Sequence, residues 1–154
     1  MQISDVMKRE VISIDQGASL GQALDMLTRH RIGVLPIIDR DGKLVGALRL
    51  RSILELVLPA FVDLVENYDF VEDFGAWERS AIGEERRRAP VADLMDPPLS
   101  VTADSGLLRA HAFMRQHDLH DLPVVDDEGR LIGLASWVDV GIAFLESRGR
   151  DTGR

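Results

Sequence analysis

The sequence predicts a mixed α/β fold made of two copies of one unit, strand-helix-strand-strand-helix, packed face to face, with a helical insertion between them. Three observations carry this. The stretch "RIGVLPIIDRDGKLVGAL" at 31–48 returns as "DLHDLPVVDDEGRLIGLA" at 118–135, an offset of 87 that puts Pro36 on Pro123, Gly42 on Gly129 and Gly46 on Gly133. The same register lays Leu20, Ala23 and Leu27 on Leu107, Ala110 and Met114, and one residue of slippage brings "ISDVM" at 3–7 onto "VADLM" at 91–95. A unit of roughly 55 residues buries too little surface to be secure alone, so each copy needs the other.

Each element follows from its residues. A short apolar run, "VISI" or "LSVT", makes the first strand, and a turn containing Ser, Asp or Gly starts the helix after it. Apolar residues recur at helical spacing in "LGQALDMLTRH" (Leu20, Ala23, Leu24, Leu27) and in "LLRAHAFMRQH" (Leu107, Leu108, Ala112). Two strands follow, "VLPII" and "KLVGAL", joined by "DRDG", in which Asp41-Gly42 is a hairpin signal. The proline of the first of these strands removes a ladder donor and is expected at an edge or a bulge. A second helix, from about 51 and about 137, closes each unit.

This divides the chain into a first repeat at 1–54, an insertion at 55–90, a second repeat at 91–148 and a tail at 149–154 that has nothing apolar to bury and should fray. The insertion is longer than a connection requires. Its nine acids against four arginines supply −5 of the net charge of −8, and it holds Phe61, Tyr68, Phe70, Phe74 and Trp77. Two readings stand. In one, "LELVLPAFVDLVENY" carries the closing helix past Pro59 and the aromatics pack on the module, contributing to a homodimer. In the other, the segment docks a further protein. "EERRRAP" at 84–90 reads as a solvated linker.

Composition narrows the function. Of 154 residues, 45% are hydrophobic and 29% charged, as in an ordinary globular protein. No cysteine is present, which removes disulfides and thiolate metal sites and fits a reducing, cytoplasmic setting. No segment approaches the roughly 18 apolar residues of a membrane span, and the N-terminus lacks a signal-peptide core. An acidic chain without a clustered basic face is no nucleic-acid binder. His111, His117, His120 and Asp121 lie close in sequence, but adjacent strand residues point to opposite faces and the spacing matches no metal site. With no nucleophile-base pair and no phosphate loop either, the chain reads as a non-enzyme that requires no cofactor.

At this point "VLPIIDRDGKLVGAL", "DLPVVDDEGRLIGLASWVD" and the leading "DVM" and "DLM" resemble a tandem pair of cystathionine-β-synthase (CBS) domains, a Bateman module. The resemblance covers about 3–54 and 91–148. It implies a pseudo-twofold pair of domains with two clefts between the repeats, which in many members bind adenine nucleotides or related adenosyl compounds. A Ser or Thr ending the third strand would contact phosphate and an Asp three residues later would take the ribose hydroxyls. Carried onto this chain, one site combines Leu134, Ser136 and Asp139 with Val11, Ile32 and Gly33. The other cleft, framed by Ala47, Arg49, Ser52, Leu119 and His120, departs from the pattern: Arg49 stands where the hydroxyl belongs and Ser52 where the carboxylate belongs. One intact site and one weaker, lacking a ribose acceptor, is the expectation. Read from the residues alone, Ser136 and Asp139 also suit simple helix capping, and Arg49 an exposed strand position, so both readings stay open. The resemblance implies a regulatory sensor of an adenosyl ligand (AMP, ADP, ATP or the S-adenosylmethionine class) that signals to a protein partner by conformational change. The alternative is a ligand-free interaction scaffold working through residues 55–90.

Overall fold

The structure, a computed structural model, describes residues 1–58 and 82–150, excepting the side chains of the last two. The first unit holds β1 (Ile14–Asp15), α1 (Leu20–His30), β2 (Val34–Ile38), β3 (Leu44–Arg49) and α2 (Leu50–Val57). After α3 (Glu84–Arg88), the second holds β4 (Val101–Thr102), α4 (Leu107–Gln116), β5 (Asp121–Val125), β6 (Leu131–Ser136) and α5 (Trp137–Arg150). In each three-stranded sheet the middle strand runs parallel to the strand before it and antiparallel to the one after. The repeated architecture is therefore the one expected.

Local chemistry explains the boundaries. Ser19 and Gln22 cap α1 reciprocally: the Gln22 N–H donates to Ser19 Oγ at 3.2 Å and the Ser19 N–H to Gln22 Oε1 at 3.0 Å. The hairpin turn is organised by its first aspartate. Asp39 Oδ1 accepts from the N–H groups of Asp41 and Lys43, both at 2.9 Å, and only Gly42 takes a positive φ, 79°. Asp126 repeats this with Glu128 and Arg130, and Gly129 has φ 81°. The two hairpin tips then join the repeats, because the Leu44 N–H donates to the Gly129 carbonyl and the Leu131 N–H to the Gly42 carbonyl, each at 3.0 Å.

Pro36 and Pro123 sit in the middle strands rather than on edge strands. They are tolerated because β1 and β4 are two residues long and pair only beyond the prolines, at Ile37–Ile38 and Val124–Val125, where the ladder also bulges. On α4 the buried face is Leu107, Ala110 and Met114, whereas Leu108 and Ala112 are exposed, correcting the stripe read from spacing. The closing helix α2 also stops short of Pro59. Leu58 is extended (φ −82°, ψ 148°), as the residue before a proline must be to clear its ring. The insertion's aromatics lie outside the described residues. Residues 84–88 are largely exposed, and they form α3, which packs on α1 with Arg87 bonded to Asp25 at 2.8 Å.

Each repeat is completed by a segment that precedes the other. Residues 1–8 lie on the second unit: the Ile3 N–H donates to Ser105, the Ser4 N–H to Ala103, and Lys8 and Leu134 exchange two backbone bonds at 2.9 Å. Ile3 and Met7 belong to the core around Leu107, Met114, Leu122 and Val140. Residues 89–96 do the same for the first unit, where Val91, Leu94 and Met95 join Leu20, Leu35, Ile37 and Leu48, and Asp96 exchanges two bonds with Ala47. The shared "DVM" and "DLM" are thus the crossing segments. Their methionines press on glycines: a Cβ on Gly46 would lie 2.6 Å from Met95 Sδ, and one on Gly133 would collide with Met7.

Candidate functional site

Crossing brings charge to the ends of β3 and β6, where the two closing helices begin. At the end of β6, Ser136 and Asp139 face each other: Ser136 Oγ donates to Asp139 Oδ2 at 2.7 Å, and the Asp139 N–H donates back to Ser136 Oγ at 3.1 Å. This reciprocal pair caps α5 whatever else it does, and such a cap contributes about 1 kcal/mol. Both residues remain part-buried rather than sealed.

Beside them, β5 begins with Asp121, half-buried and surrounded by charge. Burial pushes its carboxyl above the ordinary range, His120 and Lys8 pull it back, and Asp139 adds to the rise. Asp121 Oδ2 lies 4.0 Å from where a Cβ on Gly33 would stand, so Asp121 links Gly33 of the first repeat to the Asp139 end of the second. Leu134 is half-buried and bonded through its backbone to Lys8. Val11 and Ile32 are half-buried, and Ile32 with Gly33 lines a separate cavity of about 830 Å³ between α1, α2 and α3.

The end of β3 is built from different residues on the same plan. Arg49 occupies the position of Ser136 and caps α2 without a side-chain bond. Ser52 occupies that of Asp139. Its Oγ donates to Asp96 Oδ2 at 2.9 Å, and the same carboxylate oxygen lies 3.6 Å from Arg49 Nη1. The carboxylate missing from the helix is thus supplied by the crossing segment. The match of "DVMK" to "DLMD" was the available signal, because it sets Lys8 against Asp96. The two ends are charge-reversed: acid on the helix with a lysine on the crossing strand in one, arginine at the helix with an aspartate on the crossing strand in the other.

A cavity of about 470 Å³ opens at the Arg49 end, lined by Gly33, Val34, Arg49, Leu50, Arg51, Leu54, Glu55, Leu58, Asp118, His120 and Asp121. It gathers Gly33, expected at the intact site, with Arg49 and His120, expected at the weaker one. Its lining includes neither Ser136 nor Asp139. Ala47 and Leu119 are buried, Leu119 in the core of the second repeat. Of the lining residues, Arg51 of α2 bonds Asp118, which lies in the turn after α4 in a left-handed conformation (φ 52°). The other two histidines of the stretch 111–121 are dispersed, His111 against Trp137 and Phe144, His117 against Phe113. No helix among the described residues is long and apolar enough to cross a membrane.

A family model described as CBS domain matches residues 3–59 and 91–144. An uncharacterized protein of Methanocaldococcus jannaschii, MJ1426, is 28% identical over 94% of this chain and 92% of its own length. The crystal structure of CBSX2 in complex with AMP superposes with a TM-score of 0.70 at 26% identity, covering 96% of this chain and 98% of that one. The cytosolic domain of the Mg2+ channel MgtE in complex with ATP superposes with a TM-score of 0.64 at 25% identity, covering 90% of this chain and 46% of that one.

Proposed function

The chain belongs to the CBS domain family as a tandem pair, and on that premise we propose that it is a regulatory module that binds an adenosyl compound between its repeats and signals by a change in their relative setting. One observation carries this reading. The ends of β3 and β6, where strand gives way to helix, bring together part-buried carboxylates, hydroxyls and basic groups from both repeats. A cavity of about 470 Å³ with a leucine-rich wall lies against one of them. Such a wall suits a base, and paired carboxylate and hydroxyl groups suit a ribose and a phosphate. The complexes of similar proteins with AMP and ATP support the same ligand class.

In this reading Ser136 and Asp139 serve the phosphate and ribose of a ligand that also meets Leu134, Val11, Ile32 and Gly33. Calorimetric titration of ligand-stripped protein with AMP, ATP and S-adenosylmethionine tests it. Asp139→Ala is expected to weaken binding ten- to a hundred-fold, the worth of a charge-assisted hydrogen bond of about 1.5–3 kcal/mol. Unchanged affinity in a folded Asp139→Ala protein would reduce the residue to a helix cap. No binding by the wild-type chain would leave the ligand-free scaffold as the better account.

The module acts, on this proposal, as a cytoplasmic non-enzyme, regulating a protein partner, and as a homodimer. Self-association is supported by exposed leucines, Leu50, Leu54 and Leu56 on α2 and Leu58 just after it, and by Val138, Ile142 and Leu145 on α5. Sedimentation at micromolar concentration tests it, and a monomer there would remove the dimer from the proposal.

A further inference from the structure

The two repeats differ where the first helix of each unit meets the start of its closing helix. The offset of 87 sets His111 in the place of Leu24 and Trp137 in the place of Leu50. In the second repeat those two side chains stack, their ring centroids 4.4 Å apart, with Phe144 edge-on to His111 at 5.9 Å. In the first repeat Leu24 and Leu50 border the cavity of about 830 Å³ between α1, α2 and α3, and Leu27, Ile32 and Ile82 add to its apolar wall. Two leucines fill less space than an imidazole and an indole, and a volume of this size takes a small molecule. The second repeat shows which shape the place accepts: a flat aromatic ring.

Four charged side chains also border the cavity. Arg87 and Asp25 pair at 2.8 Å and cancel. Arg31 and Glu84 are exposed, and among the described residues neither side chain has a hydrogen bond or an ion pair. Arg31 is fixed there by the left-handed end of α1 (φ 51°), where its N–H donates to the Leu27 carbonyl. A cation and an anion left over at an apolar cavity match a ligand that carries both charges beside a ring, because guanidinium binds carboxylate and carboxylate binds ammonium through charge-assisted hydrogen bonds.

We propose that this cavity binds an aromatic amino acid, its ring between Leu24 and Leu50, its carboxylate on Arg31 and its ammonium on Glu84. The site is built from the first repeat and α3. Among the described residues it shares only Gly33 and Leu50 with the cavity at the Arg49 end, and it does not depend on the adenosyl reading.

Calorimetric titration of the full chain with L-tryptophan, indolepropionate and indole tests the proposal, in the wild type and in Leu24→Trp, Arg31→Asn and Glu84→Gln. Arg31 and Glu84 are exposed and asparagine tolerates the left-handed backbone, so the last two variants fold even where Leu24→Trp does not. Tryptophan is expected to bind at least ~10-fold tighter than indole, the worth of one charged hydrogen bond. Leu24→Trp fills the cavity and should abolish binding of all three. Arg31→Asn should weaken tryptophan ~10-fold or more and leave indole unchanged. Glu84→Gln should weaken tryptophan and leave indolepropionate, which lacks the ammonium, unchanged. Indole bound as tightly as tryptophan, or tryptophan binding untouched by Arg31→Asn, overturns the proposal. So does an absence of tryptophan binding, which gives the cavity to another occupant. AMP titrated alongside keeps the two readings apart: AMP binding without tryptophan binding removes only this site, and tryptophan binding without AMP binding supports it and removes only the adenosyl reading.

Discussion

Met95 lies against Gly46 so closely that a single added methyl group has no room: a Cβ there would stand 2.6 Å from the thioether sulfur and 2.8 Å from the Asp96 carbonyl oxygen. At Gly133 the clash is with the Met7 side chain, and the nearest backbone atom, the Lys8 carbonyl oxygen, is 3.3 Å away. A methionine can rotate away; a paired backbone cannot. Gly46→Ala is therefore expected to destabilise by about 1–3 kcal/mol and Gly133→Ala by less. Chemical denaturation of the two variants checks the order, and equal losses would contradict the assignment of backbone contact.

Ile3 is fully buried in the core of the second repeat, not in that of the first, which it directly precedes in sequence. Ile3→Ala should cost about 2–5 kcal/mol. Hydrogen exchange locates the damage: lost protection is expected in β4, β5 and β6 before β1, β2 and β3. Loss confined to residues 14–49 would refute the crossing.

Ser52→Asp repairs the family pattern on paper. In the structure it sets a second carboxylate beside Asp96, whose Oδ2 lies 2.9 Å from the Ser52 hydroxyl. Like charges at that distance repel, so the variant is expected to melt lower at neutral pH and to gain no adenosyl binding. Ser52→Asp combined with Asp96→Ser moves the carboxylate onto the helix and should restore the melting temperature. A single Ser52→Asp protein that binds better than wild type would show that Asp96 is not already filling the place.

Two aspartates should give opposite pH signatures. Asp121 is raised by burial, so between its ordinary and its raised value the folded chain keeps a proton that the unfolded chain has lost, and stability falls as pH rises through that window. Asp121→Asn is then expected to melt higher than wild type at pH ~7, with the gain gone by pH ~3, below both values. Asp126 is lowered, mainly by the backbone hydrogen bond from Arg130, so its contribution is present above the ordinary carboxylate value and disappears as pH falls through the lowered one. Asp126→Ala should melt lower at pH ~7 and converge with wild type in acid. Melting curves across that range decide both signs.

The repeat, the element order and the hairpins were legible because apolar periodicity and the paired prolines and glycines report them directly. The crossing was not, since Ile3 and Met7 are equally apolar whichever sheet they cover; periodicity tells which face is buried and not by whom. The stripe Leu107, Leu108, Ala112 failed because neighbouring helix positions diverge by about 100°, and burial chose the register of Ala110 and Met114. At the candidate site, Ser136 and Asp139 were found through their spacing and lie bonded to each other. Asp96, Lys8 and Asp118 were missed because their importance comes from position in space: each reaches a charged neighbour some 40 or more residues away or on the other repeat.

The crossed segments also govern how the chain can come apart. Residues 3–7 reach their core only when residues 101–143 are in place, and residues 89–96 complete a unit that began some 75 residues earlier. Closing loops of that length costs entropy before it returns contacts, so folding is held back until both halves are present and then proceeds in one step. A chain cut between 58 and 82 would yield two fragments, each holding a piece of the other's interior, and they would remain clasped as a noncovalent pair.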